Sequence, residues 1–162
     1  STTTNEFNSR VTGAGRTYQH KVDILPWDAT TERGYRGKKG TVLASGPMLL
    51  QNGTVCSWEE CSESFITTKH PRSALYVTKD AVVFLTADGR SPGNAIGVNI
   101  PELAHLIRVL GGRDAINLDG GGSTTLWMGQ GENAGVLNCP SDNRKFDHEG
   151  ERSVSNAIFV RK

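Results

Sequence analysis

The segment Ala115-Ile-Asn-Leu-Asp-Gly-Gly-Gly-Ser-Thr-Thr-Leu126 constrains this chain more than any other. A short apolar stretch ends in one carboxylate, Asp119, and three consecutive glycines with hydroxyls behind them. Glycine costs conformational entropy, so three in a row belong where backbone shape outweighs packing. Main-chain N–H groups turned the same way make a concave anion site, above all for phosphate. The spacing is neither a Walker loop, which needs a following Gly-Lys-Ser/Thr, nor the interrupted glycine fingerprint of dinucleotide folds. A plain glycine-rich turn between two strands would carry the same letters.

The 162 residues suit one domain with a real core. Eighteen basic residues against 17 acidic leave a net charge of +1, which argues against nucleic-acid or membrane-surface partners. No apolar run reaches the roughly 20 residues of a membrane helix, and no signal peptide is visible. Cys56 and Cys61 are close enough in sequence for a local disulfide and could equally be free thiols; Cys139 is left over. The four histidines are scattered, with no CxxC or HxxxH spacing, so no zinc site is expected.

Residues 1–40 read as a polar, loop-rich segment, with one strand between Tyr18 and Trp27 and an exposed loop over Arg33–Gly40. Order is expected from Thr41 onward. Thr41–Ala44 and Met48–Leu50 read as strand pieces, and Thr54–Ser57 as a return after the Asn52-Gly53 turn. Residues 58–70 read as a surface loop. Ser73–Thr78 and Ala81–Ala87 form a hairpin candidate around Lys79-Asp80. The best helix is Ile100–Leu110, with Asn99 and Glu102 spaced as a capping box and Gly111-Gly112 as its stop. Leu103, Leu106, Ile107 and Leu110 would form its apolar stripe. Further strands are expected at Ala115–Leu118, Thr124–Met128, Gly135–Asn138 and Val154–Val160. One convincing helix does not support repeated βαβ units. The expected fold is α+β: a mixed sheet, the helix at about 100–110 packed on it, and the glycine-rich loop at the site.

Polar residues cluster at the ends of these elements: His70-Pro71-Arg72, Asp88-Gly89-Arg90, Asn117 with Asp119 through Thr124, and Glu151-Arg152. Strand ends are where such folds place ligands. Arginine suits phosphate because its planar fork donates two parallel hydrogen bonds. Each group has a bland alternative: a loop cap for Arg72, a turn for Asp88-Gly89, a surface ion pair for Arg152. Asn117, within an apolar strand, needs buried partners and would brace the glycine loop.

The ordered series resembles the phosphodiester glycosidase family. It runs Ser45-Gly46-Pro47, Gly53, His70-Pro71-Arg72-Ser73-Ala74, Asp88-Gly89-Arg90, Glu102-Leu103-Ala104, Asn117-Leu118-Asp119-Gly120-Gly121-Gly122-Ser123-Thr124 and Arg152-Ser153-Val154-Ser155-Asn156-Ala157. An animal member of that family removes N-acetylglucosamine from a sugar phosphodiester; bacterial and phage relatives work on cell-wall or capsular sugars. The resemblance covers residues 41–162. The family's Asn-Gly-x-Phe-like element is absent from residues 1–40, so the chain reads as the carboxy-terminal part of the domain, and Ser73 stands where threonine is usual.

The resemblance implies hydrolysis at an anomeric carbon with a phosphate ester as leaving group, by a secreted, periplasmic or cell-surface protein. Its implied partners are a sugar phosphodiester or glycan and the family's own amino-terminal segment. Phosphate binding falls to Arg72, Arg90 and the N–H groups of Gly120, Gly121, Gly122 and Ser123, with Arg152 in addition and Asn117 and Thr124 beside them. Asp119 is the first choice for base or nucleophile and Asp88 the second. No cofactor is expected, although the two aspartates and loop carbonyls offer oxygen ligands that suit Ca²⁺ or Mg²⁺. A non-catalytic module for phosphorylated glycan, or a structural domain, would use the same residues without turnover.

Overall fold

The structure, a computed structural model, describes residues 9–161. The first eight residues of the expected polar segment, and Lys162, lie outside the described residues. The centre of the fold is a five-stranded sheet in the order β5-β4-β8-β6-β7. Its strands are β4 (Met48–Gln51), β5 (Thr54–Val55), β6 (Arg72–Val77), β7 (Val82–Ala87) and β8 (Asp114–Asn117). The α+β class holds, with every ladder among the described residues antiparallel. β6 and β7 are joined by the expected tight hairpin, closed by Thr78 N–H donating to the Ala81 carbonyl at 2.8 Å. β8 returns on the far side of β6 after helix α3 (Ile100–Val109), so α3 crosses over the sheet.

Strand alternation gives the sheet two apolar faces. Ala74, Tyr76 and Ala115 pack with Ile100, Leu103, Ala104 and Ile107 of α3. Leu75 and Ile116 face the other way and pack with Met48 and Ile24. Ile24 belongs to a second sheet, β2-β1-β3, built from β1 (Gly13–Tyr18), β2 (Lys21–Pro26) and β3 (Thr41–Ser45). The result is three layers: helix, five-stranded sheet, three-stranded sheet. Each fully buried Leu or Ile contributes about 1.5–3 kcal/mol.

The helix keeps its capping box: Glu102 N–H donates to Asn99 Oδ1 and Asn99 N–H to Glu102 Oε2, both at 2.9 Å. Its buried stripe differs from the expected one. Ile100, Leu103, Ala104 and Ile107 are buried, whereas Leu106 is 38% and Leu110 50% exposed. An apolar stripe is only a little over 100° wide, and Ile100 and Ala104 centre it so that Leu106 and Leu110 fall on its shoulder.

Other expectations give way. Order begins before Thr41: β1 and β2 pair throughout, and β1 pairs with β3 across position 40. The connecting turn is Gln19-His20, both with positive φ (47° and 63°), a geometry usually announced by Asn-Gly. Arg33–Tyr35, expected in a loop, ends helix α1 (Ala29–Tyr35), whose N-cap Asp28 accepts from Thr31 N–H at 2.7 Å. The expected loop 58–70 contains helix α2 (Glu63–Thr67), capped by Ser62. Thr124–Met128 is a strand only at β9 (Trp127–Met128), paired with β10 (Gly135–Val136). Ahead of it the Asn138 side chain substitutes for a strand, accepting from Leu126 N–H and donating to the Thr124 carbonyl. Val154–Val160 forms no strand; alternation marks a face, but a ladder needs a partner, and Phe159 and Val160 are more than three-quarters exposed.

Candidate active site

The amino-terminal end of β6, the carboxyl ends of β7 and β8 and the end of β3 meet at one edge of the sheets. Between them lies a cleft of ≈ 370 Å³. Asp119 is the one carboxylate lining it among the described residues, and Arg10, Arg72 and Arg90 line it too. Asp119 is exposed, its Oδ1 accepting from the adjacent Gly120 N–H at 3.0 Å.

β8 brings in Asn117, which was expected to brace the glycine loop and instead ties β8 to the Ser45-Gly46 segment at the end of β3. Asn117 Nδ2 donates to the Gly46 carbonyl, and its own carbonyl accepts from Ser45 Oγ, both at 2.9 Å. Its Oδ1 is buried with no partner and belongs to a cleft-lining side chain. A buried acceptor of this kind is costly unless something donates to it.

Arg72 is 3% exposed. Its Nε donates to the Val98 carbonyl at 3.2 Å and its Nη2 to the Phe65 and Thr68 carbonyls at 3.0 Å. The expected phosphate ligand is therefore also a clamp, tying the end of α2 to the Val98 loop. The guanidinium groups of Arg10 and Arg72 both lie against the Phe65 ring, 4.7 and 4.8 Å from its centre. Burial, and then the Arg10 and Arg90 charges, push the Arg72 pKa down. Cations gathered in this way repel one another, and an anion in the cleft would relieve that repulsion.

The glycine loop departs from the expected cradle. It folds into a single 3₁₀ turn, Gly121–Ser123, that uses its own amides. Gly121 N–H donates to the Pro71 carbonyl, Ser123 N–H to Gly120 and Thr124 N–H to Gly121. With the Gly120 amide on Asp119, three of the four amides of the expected phosphate nest, those of Gly120, Gly121 and Ser123, are engaged within the protein. The glycines serve close approach instead. Gly121 has φ +62°, and a Cβ there would meet Arg90 Nη2 at 2.9 Å. A Cβ on Gly122 would collide with the Asp142 and Arg152 side chains.

Asp88, Gly122, Ser123, Thr124 and Arg152 do not line the cleft. Asp88, the second choice for catalysis, is spent on the fold. Both its oxygens accept from Cys139 N–H at 3.1 Å, and Oδ1 accepts from Asn138 Nδ2 at 3.0 Å. Arg152 forms a two-pronged pair with Asp142 at 2.6 and 2.9 Å, as its surface alternative anticipated. Arg10, His70 and Phe65 line the cleft without having been assigned roles from sequence. Phe65 was traceable through its cap, Ser62 three residues earlier; Arg10 stands in a stretch with no periodic signal.

Cys56, Cys61 and Cys139 are free thiols. Among the described residues no group of three or more His, Cys, Asp or Glu could hold a metal ion. No helix among them is long and apolar enough to cross a membrane.

Among solved structures, the chain resembles the zebrafish N-acetylglucosamine-1-phosphodiester alpha-N-acetylglucosaminidase catalytic domain, auto-inhibited by its pro-peptide. The TM-score is 0.63 at 19% identity, over 84% of this chain and 48% of that one. A hypothetical protein from Synechocystis matches with a TM-score of 0.51 at 27% identity, over 67% of this chain and 20% of that one. The chain thus spans about half the length of the zebrafish domain. No curated protein sequence matches it. The family model for phosphodiester glycosidases matches residues 3–161, reaching well ahead of the expected start at 41, and the chain belongs to that family.

Proposed function

We propose that this chain hydrolyses a sugar-1-phosphodiester at the anomeric C–O bond, with a phosphate ester as leaving group. The observation that carries the proposal is a single cleft lined by one carboxylate and three arginines. Ordinary glycosidases need two carboxyl groups, one of them to protonate a poor leaving group. A phosphate ester leaves without that help, so one carboxylate and a cationic wall are a sufficient set. Arg10, Arg72 and Arg90 would hold the phosphate and neutralise charge as it develops. Asn117 Oδ1, lacking a donor, would accept from a sugar hydroxyl. Asp119 would act on the anomeric carbon directly or through water. Arg152, Ser123 and Thr124 would shape the loop from behind.

The same proposal places the substrate on exported or cell-surface glycan. It invokes no cofactor; Ca²⁺ or Mg²⁺ bridging Asp119 and phosphate oxygens is the variant that chelation tests. The second reading, a module that binds phosphorylated glycan without turnover, would use the same arginines and is favoured by the absence of a second carboxylate from the cleft among the described residues.

A panel of nitrophenyl-reporter sugar phosphodiesters, offered with and without chelator, separates these. Turnover that survives chelation is expected. Loss on chelation would put a metal in the site. Saturable binding without turnover would replace the enzyme with the binding module.

A further inference from the structure

His70 lines the same cleft and has no part in the chemistry above. Its backbone is fixed independently of its ring: His70 N–H donates to the Val98 carbonyl at 3.2 Å, and Val98 N–H returns to the His70 carbonyl at 3.0 Å. Gly97 lies so close behind that a Cβ there would collide with the His70 backbone. The side chain of this cleft-lining residue has its Nδ1 buried and without a hydrogen-bond partner. A buried polar atom with no partner is costly, and one in a ligand cleft marks where a ligand atom belongs.

We infer that His70 is a further ligand of the anion: Nδ1 takes a proton from solvent as the phosphate enters, and the new N–H donates to a phosphate oxygen. The inference rests on the phosphate assignment made for this cleft under the proposed function. In the empty cleft, burial first and then the Arg72 and Arg90 charges hold the imidazole pKa below its usual value. Arg10 and Asp119 line the same cleft. Lys69, the preceding residue, is neutralised by Glu102 of α3 at 2.6 Å. An arriving anion brings the opposite charge against all three arginines and reverses the balance. By linkage, a ligand that raises a group's proton affinity binds more tightly when that group is protonated. Anion affinity must then fall as pH rises through the histidine range, and the product monoester, closer to a dianion than the diester, gains the most.

Sulfate tests this directly, because it does not titrate across that range. The ring resonances of the four histidines are followed by NMR against pH, with and without sulfate, His70 being identified by its absence from a His70→Gln variant with an unchanged melting curve. Sulfate is expected to raise the His70 midpoint and leave His20, His105 and His148 in place. Wild-type affinity is expected to fall about tenfold between about pH 5 and about pH 8, a fall that His70→Gln abolishes. Arg90→Gln is expected to raise the His70 midpoint in the sulfate-free protein. Sulfate binding with an unmoved His70 midpoint would overturn the inference and leave the phosphate site standing. Absence of sulfate binding to the wild type would overturn both.

Discussion

Asp88 and Asp119 close the two strands that flank β6, and each is followed by glycine, yet the fold treats them in opposite ways. Asp88 is committed: Cys139 N–H and Asn138 Nδ2 together occupy both its oxygens and pin the 138–139 segment to the end of β7. Asp119 is uncommitted beyond the amide of its own neighbour, and it lies in the cleft among the arginines. A carboxylate whose lone pairs are used by the backbone is a structural part; one left open to a cationic cleft is available for chemistry. The arginines divide less sharply: Arg72 is buried and clamped on three carbonyls while still lining the cleft, whereas Arg90 is exposed beside Gly121.

Substitutions can break that contrast. The largest effect is expected from Asp119→Asn, which should lower kcat about 10²–10⁴-fold and leave the melting temperature in place. Activity within a few-fold of wild type would erase the distinction. Arg72→Met should destabilise by about 3 kcal/mol, because three carbonyls lose a charged donor. Its counterpart Arg90→Gln should raise KM at unchanged stability. Equal melting temperatures for the two variants would show that the Arg72 clamp carries no weight. Asp88→Asn should cost about 1–3 kcal/mol by removing the charge and placing an amide donor against the Cys139 N–H. The folded variant should keep the wild-type kcat; a normal melting curve with lost turnover would return Asp88 to the chemistry.

The sequence made Asp119 prominent and could not demote Asp88, because the bonds that engage Asp88 come from residues 50 positions away. Within a single stretch the signals were stronger. The α3 capping box and the β6–β7 hairpin both follow from local spacing, whereas the partner of Asn117 is Gly46, 71 residues away, rather than the glycine loop beside it. The missing parts have specific causes. A positive-φ turn made of Gln19-His20 hid the first hairpin, and with it the layer that carries Ile24 and the approach of Arg10. The glycine run announced unusual backbone geometry, but its purpose, close packing against Arg90, Arg152 and Asp142, is visible only in three dimensions.

The smallest effect concerns the helix that crosses the sheet. Asn99→Ala should cost about 1 kcal/mol, read by thermal melting, with no change in KM. Its partner Glu102 is held below the usual carboxylate range, first by the Lys69 hydrogen bond and then by the Asn99 amide. Its contribution is therefore present above the ordinary carboxylate pKa and lost as pH falls through the lowered folded value. Stability should fall in that acid window because of Glu102, and a Glu102→Gln variant with the same acid dependence would contradict the box.

The most direct test of the central claim is where the oxygen of water goes. Hydrolysis of a sugar-1-phosphodiester in heavy-oxygen water, followed by mass spectrometry of both products, identifies the bond that breaks. A cleft that acts at the anomeric carbon puts the label on the sugar. Label on the phosphate would mean P–O cleavage and would contradict the proposed reaction.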